Sequence, residues 1–179
     1  MEGRCAALFF YWVHAQYGPM PDLDRLRATF PRAGALVWIA ARPRKNGDLK
    51  IITEARLDPD TGLEYDRCAT GKRQITLIQA EHLPVIAELC GLDRVDPRQL
   101  RRNLVVSGIS VWALKDRKFT VGPVTLGGTG ACHPCSRMET ALGVGGYNAM
   151  RGHGGITAHV LTAGRIQVGD AVSVIRSSA

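Results

Sequence analysis

The chain has 179 residues, 45% of them hydrophobic and 22% charged, with a formal net charge of +7. That length fits one domain able to bury its own core, and no apolar run reaches the roughly 20 residues that a bilayer span requires. Five cysteines, an odd number, without a secretory signal argue against a disulfide framework and for reduced thiols in the cytoplasm.

In chain order, residues 1–20 carry an apolar block at 6–13 behind Arg4. Gln16, Tyr17 and Pro19 do not suit a signal-peptide cleavage site. The segment reads as a poorly ordered leader, with Met1 or Met20 as the start, and residues 21–179 read as a single domain. Leu23, Leu26 and Phe30 have helical spacing, and Pro31 and Gly34 stop that helix. Residues 36–41 and 49–55 read as strands joined at Asn46-Gly47, a hairpin pair. A turn follows at 58–62. Residues 73–78 alternate polar and apolar side chains as a half-buried strand does. A helix is expected from about Ala80 or Glu81 to Cys90, with Pro84 near its start and Gly91 as its stop. Asp96 as N-cap and Pro97 as first residue open a further short helix. Residues 103–106 read as a strand, as do 118–121 and 124–126 on either side of Gly122-Pro123. Residues 127–130 read as a flexible glycine stretch. A helix is expected near Ser136, and a last hairpin over 156–161 and 165–174 turns at Ala163-Gly164. Many short strands with few short helices predict a mainly β, barrel-like fold.

Four segments carry side chains suited to chemistry. Cys132-His133-Pro134-Cys135 is a Cys-x-x-Cys set beside Ser136 and Arg137. A cysteine at a helix start next to an arginine gains thiolate character, the form that binds soft metals or attacks sulfur. A zinc site lacks its second ligand pair, a thioredoxin-like pair lacks its βαβ setting, and a buried thiol pair does not suit these polar neighbours. Residues 143–155 hold six glycines, including Gly154 and Gly155 around His153. They read either as a plain loop or as an anion cradle, with His153 a donor to an oxyanion or a turn histidine. Arg101-Arg102-Asn103 offers fork-shaped donors to phosphate and amide donors to a heterocycle. Adjacent strand residues point opposite ways, so one of the two arginines is expected to be a surface charge. Lys72-Arg73 could add cations. The basic residues are otherwise dispersed and aromatics make up only 6%, so nucleic acid is disfavoured as the partner.

Gly62-Leu63-Glu64-Tyr65-Asp66-Arg67, the run from Lys72 to Ile78, Arg101-Arg102-Asn103-Leu104-Val105, Cys132-His133-Pro134-Cys135 and Gly152-His153-Gly154-Gly155-Ile156 together resemble the MOSC domain. That family takes its name from the C-terminal domain of molybdenum cofactor sulfurases, and the likeness spans roughly residues 36–175. It implies a β-barrel-like fold and a molybdenum cofactor (molybdopterin), with Cys135 as metal ligand or as a persulfide carrier. It implies that Lys72, Arg73, Arg101 or Arg102 hold the cofactor phosphate, aided by Cys132, Arg137, Gly154 and Gly155. Asn103 would then bind the pterin and His153 would move a proton. Stand-alone bacterial relatives reduce N-hydroxylated compounds with electrons from a separate donor protein. The sulfurase's pyridoxal-phosphate domain finds no room here, so a sulfur-carrier role would need a separate sulfur donor. The sequence departs from the family at Tyr65, where glycine is usual, and at Cys68, where His or Tyr is usual.

Overall fold

In a computed structural model, residues 22–175 are described, and the expected leader at 1–20 lies outside them. The chain divides into a short unit ending at Phe30 and a second unit starting at Pro31. The first contains α1 (Leu23–Ala28), where the apolar spacing predicts a helix.

In the second unit, Asn46 takes a left-handed φ of 64° and the chain reverses there. This pairs β1 (Gly34–Ala41) antiparallel with β2 (Lys50–Ile52), Ile39 opposite Ile52 and Ala41 opposite Lys50. The single strand expected at 49–55 is in fact two. At Thr53 the chain leaves β1, and the Thr53 carbonyl accepts the Val168 N–H instead (2.8 Å). Strand β3 (Glu54–Asp58) then joins a separate small sheet with β4 (Gly62–Leu63) and β10 (Gly164–Gln167).

β5 (Ile75–Gln79) runs parallel to β6 (Leu104–Ser107), with α2 (His82–Cys90) and α3 (Pro97–Leu100) between them. Gly91 ends α2 at φ 65°. At α3, Asp96 Oδ1 accepts the Arg98 N–H and Gln99 Oε1 accepts the Asp96 N–H, a capping box. β7 (Lys118–Val121) and β8 (Val124–Ala131) form a tight hairpin, and α4 (Ser136–Leu142), α5 (Gly146–Ala149), β9 (Ile156–Val160) and β11 (Ala171–Val174) complete the unit.

Strands β1, β6, β5, β9, β8, β7 and β11 hydrogen-bond in that order, and β11 returns to β1 through Gly34–Val172 and Ala35–Ala171. The sheet is therefore a closed barrel, which leaves those strands without open edges. Residues 75–78 are all buried. They face the barrel interior on one side and a helical layer on the other, where Ile78 and Val105 pack with Ile86, Leu100, Met138 and Leu142.

Two expectations fail for the same reason, that strand partners are set by distant segments. Residues 127–130 are not a flexible stretch but the continuation of β8. A Cβ on Gly127 would sit 2.7 Å from the His159 ring, and one on Gly128 would sit 2.3 Å from the Leu114 carbonyl oxygen. These glycines permit close approach rather than motion. The last hairpin also does not form. β9 has β5 and β8 on its two edges, so β10 pairs with β3 instead.

Candidate functional site

The strand registers bring the sequence-marked segments to one level of the barrel wall, and side-chain contacts join them as the rim of one site. Ala131 of β8 faces Ile156 of β9, Ile156 faces Leu77 of β5, Leu77 faces Leu104 of β6, and Leu104 faces Ile39 of β1. From that level Cys132 after β8 and Gly155 and Gly154 before β9 continue toward one end of the strands, whereas Asn103 and Arg102 before β6 and Arg42 after β1 continue toward the other. Lys72 and Arg73 lead into β5 from the Asn103 end, and the Arg73 and Arg102 side chains reach across to Cys132 and Gly154.

Arg102 ties this rim together. Its side chain is buried, 8% exposed. Nε donates to the Gly154 carbonyl (2.9 Å), Nη1 to the Leu100 carbonyl (2.8 Å) and Nη2 to the Cys132 carbonyl (3.5 Å). The Cys132 N–H in turn donates to the Gly155 carbonyl (2.9 Å). Gly154 must lack a side chain here, because a Cβ would lie 2.2 Å from the Cys132 carbonyl oxygen. Burial first, opposed by the two cysteines and helped by Arg73 and Arg42, lowers the Arg102 pKa from the usual guanidinium value. The electrostatic neighbours of Arg102 thus include both Cys132 and Cys135.

A second knot lies beneath. The Asp66 carboxylate accepts from the Arg42 N–H (2.8 Å), Arg42 Nε (2.9 Å) and Nη2 (3.2 Å), the Cys68 N–H (2.9 Å) and Asn103 Nδ2 (2.7 Å). Asn103 is wholly buried. Its Nδ2 also donates to the Ala40 carbonyl, while Oδ1 accepts from the Thr76 N–H, the Thr76 hydroxyl and Arg42. Both amide hydrogens are therefore committed within the protein. Asn103 braces β1, β5 and Asp66 and offers no free donor to a pterin.

Above these knots the charge is one-sided. Burial and then repulsion from Arg137, Arg42 and Arg67, with Asp48 opposing, lower the Arg101 pKa. The two arginines differ as strand alternation leads one to expect: Arg102 is buried and clamps the loops, whereas Arg101 is half-buried and makes no side-chain hydrogen bond or salt bridge among the described residues. Arg42 pairs with Asp66. Among the described residues Arg67, Arg73, Arg101, Arg102 and Arg137 form no salt bridge. Arg101 also holds a left-handed φ of 54° at the C-cap of α3, where glycine is the relaxed choice. Arg101→Gly is expected to stabilise the fold by about 1 kcal/mol while weakening affinity for pyrophosphate, measured by thermal unfolding and by calorimetric titration.

Cys135 is exposed and caps α4. Cys132 is 1% exposed, with Arg73 Nη2 at 3.6 Å from its Sγ. Lys72 and Arg137 are exposed, and the Lys72 carbonyl accepts the Thr129 hydroxyl. His153 Nδ1 is buried without a hydrogen-bond partner. Sequence reasoning missed Arg42, Arg67 and His82 as parts of the rim. Among the described residues no three His, Cys, Asp or Glu side chains gather as a metal site, so a bare ion would find too few ligands among them.

Arg102 and Arg73 thus link a surplus of arginines on a closed barrel to the Cys132 loop, which leads into the exposed Cys135. A model of the MOSC domain matches residues 57–173, and the chain belongs to that family. Among solved structures it is similar to the YuaD protein of Bacillus subtilis, at 21% identity and a TM-score of 0.69, covering 82% of this chain and 98% of that one. It is also similar to YiiM of Geobacillus stearothermophilus (16%, TM-score 0.65, 80% and 75% covered) and YiiM of Escherichia coli (17%, TM-score 0.61, 83% and 72% covered). These likenesses show a shared fold. No curated protein matches the chain. No helix among the described residues is long and apolar enough to cross a membrane.

Proposed function

We propose that this chain binds a molybdenum cofactor on the barrel rim, with Cys135 Sγ as the protein ligand to the metal, and reduces N-hydroxylated substrates in the cytoplasm. The observation that carries this reading is a cationic group without salt bridges among the described residues, in which Arg101 feels the charges of Arg137 and Arg67, while Arg102 feels those of Arg73 and of the exposed Cys135. A pterin cofactor carries a phosphate and needs one soft ligand from the protein, and the donor set fits both demands. When bound, the cofactor supplies two-electron chemistry at its metal.

The chain's own residues do the rest. Arg101, Arg73, Arg137 and Lys72 bind the phosphate. Arg102 holds the Cys132 and Gly154 loops in place, and Asn103 with Asp66 fixes Arg42 beneath them. Reducing an N–OH group to N–H takes up two electrons and two protons and releases water. His153 is the proton donor on the rim, and the electrons come from a separate protein.

A second reading rests on the contrast between the two cysteines. Cys135 is open to a partner and Cys132, three residues earlier in the chain, is buried, an arrangement suited to a Cys135 persulfide in a sulfur carrier. Expression in a cofactor-competent host, with molybdenum and pterin assayed on wild type and on Cys135→Ala, separates the two. The cofactor reading expects both on wild type and neither on the variant. Cyanide-labile sulfur on wild type, lost in the variant and present without molybdenum, would replace it with the carrier reading.

A further inference from the structure

His82 and His153 meet away from the cysteines, and their geometry is unusual. The rings stand edge to face, with centroids 4.9 Å apart and planes at 88°. In both, Nδ1 is buried and without a hydrogen-bond partner. Buried polar nitrogens are normally satisfied, so two orphans in contact mark a place built for something other than stability. His82 is the first residue of α2. His153 lies in the loop whose next two carbonyls hold Arg102 and the Cys132 N–H, so the ring position is tied directly to the rim.

Resting on the reading above in which His153 donates a proton, we infer that His82 is its positioning partner. The two imidazoles fix each other's orientation, and a positive charge on one opposes a second on the other. Two cationic rings at that separation repel strongly enough to split their protonation by roughly two pH units. Between the two steps the pair carries one charge. When His153 gives up its proton, the repulsion is relieved and His82 can take up a proton from solvent, so positive charge at the loop is restored without an ion pair. Burial and then the charge of His153 hold His82 below the usual imidazole value, while the nearby His153 backbone and then Glu81 oppose them. These are the groups acting on His82 among the described residues.

The test is an NMR titration of the imidazole ring signals in the full chain without cofactor, for wild type and for His153→Gln. Each ring in wild type is expected to sense two titration steps. In His153→Gln the His82 midpoint should rise by about one pH unit, with a single step remaining. His153→Asn serves if the glutamine variant does not fold. A His82 midpoint unmoved in a folded variant, or single independent steps in wild type, would overturn the pairing. Because the readout needs no cofactor, a failed pairing leaves the Cys135 assignment standing. Coupled titration in a protein that takes up no molybdenum would instead remove only the proposed use of the pair. In loaded protein, His82→Gln should move the pH profile of substrate reduction, which a purely structural role would not.

Discussion

Asp66→Asn is expected to destabilise the domain by about 3–5 kcal/mol, the cost of leaving a buried cation without its partner. The carboxylate is fully buried and Arg42 is 11% exposed, so water cannot replace what is lost. Five donors converge on two oxygens. An amide in the same place turns an NH2 group toward some of them and removes the negative charge from all. Urea unfolding checks this through a lower midpoint at unchanged slope. A loss below about 1 kcal/mol would place the pair among ordinary surface ion pairs.

The same group predicts a pH dependence. Burial alone would raise the Asp66 pKa, but the hydrogen bonds and charge of Arg42 and the amides of Cys68 and Arg42 outweigh it and hold it below 3.8. A depressed folded-state pKa adds stability above the unfolded-state value and loses it as the pH falls through the folded one. Wild-type stability should therefore drop below about pH 4. In Asp66→Asn that part of the acid sensitivity should be missing.

Arg102→Met is expected to cost about 4 kcal/mol, because it leaves three carbonyl oxygens without their donor while keeping most of the side-chain volume. Those carbonyls belong to Leu100, Gly154 and Cys132, so the damage should concentrate at the rim. Arg102→Lys should recover little, since a single ammonium cannot span three acceptors set by a planar fork. Hydrogen exchange should report faster opening of the Cys132 and Ile156 amides in both variants. Protection equal to wild type would mean that the strands alone position the loops.

The reach of the sequence follows the range of the forces involved. The Asn46-Gly47 hairpin, the Gly91 stop and the Asp96 N-cap are local, satisfied within a few residues, and all three are legible. The break at Thr53 and the extension of β8 through Gly130 depend on partners distant in sequence, namely Val168, His159 and Leu114. A glycine run looks identical whether it is mobile or closely packed. Cys135, Arg73, Arg101 and Arg102 were marked as candidates because their types stand out. Arg42 was not, since its pairing with Asp66 spans 24 residues and only barrel closure brings them together. His82 looked like one more residue on a helix start. Asn103 was expected to bind the pterin, but the hydrogen-bond network commits both of its amide hydrogens within the protein.

Molybdenum-edge X-ray absorption on cofactor-loaded wild type and Cys135→Ser tests the central claim most directly. Cys135 is exposed, so the serine variant should fold with stability within about 0.5 kcal/mol of wild type. The account predicts that the metal in wild type has a thiolate sulfur from the protein, and that the variant either loses that scatterer or takes up no metal. An unchanged sulfur shell on a fully loaded Cys135→Ser protein would contradict it.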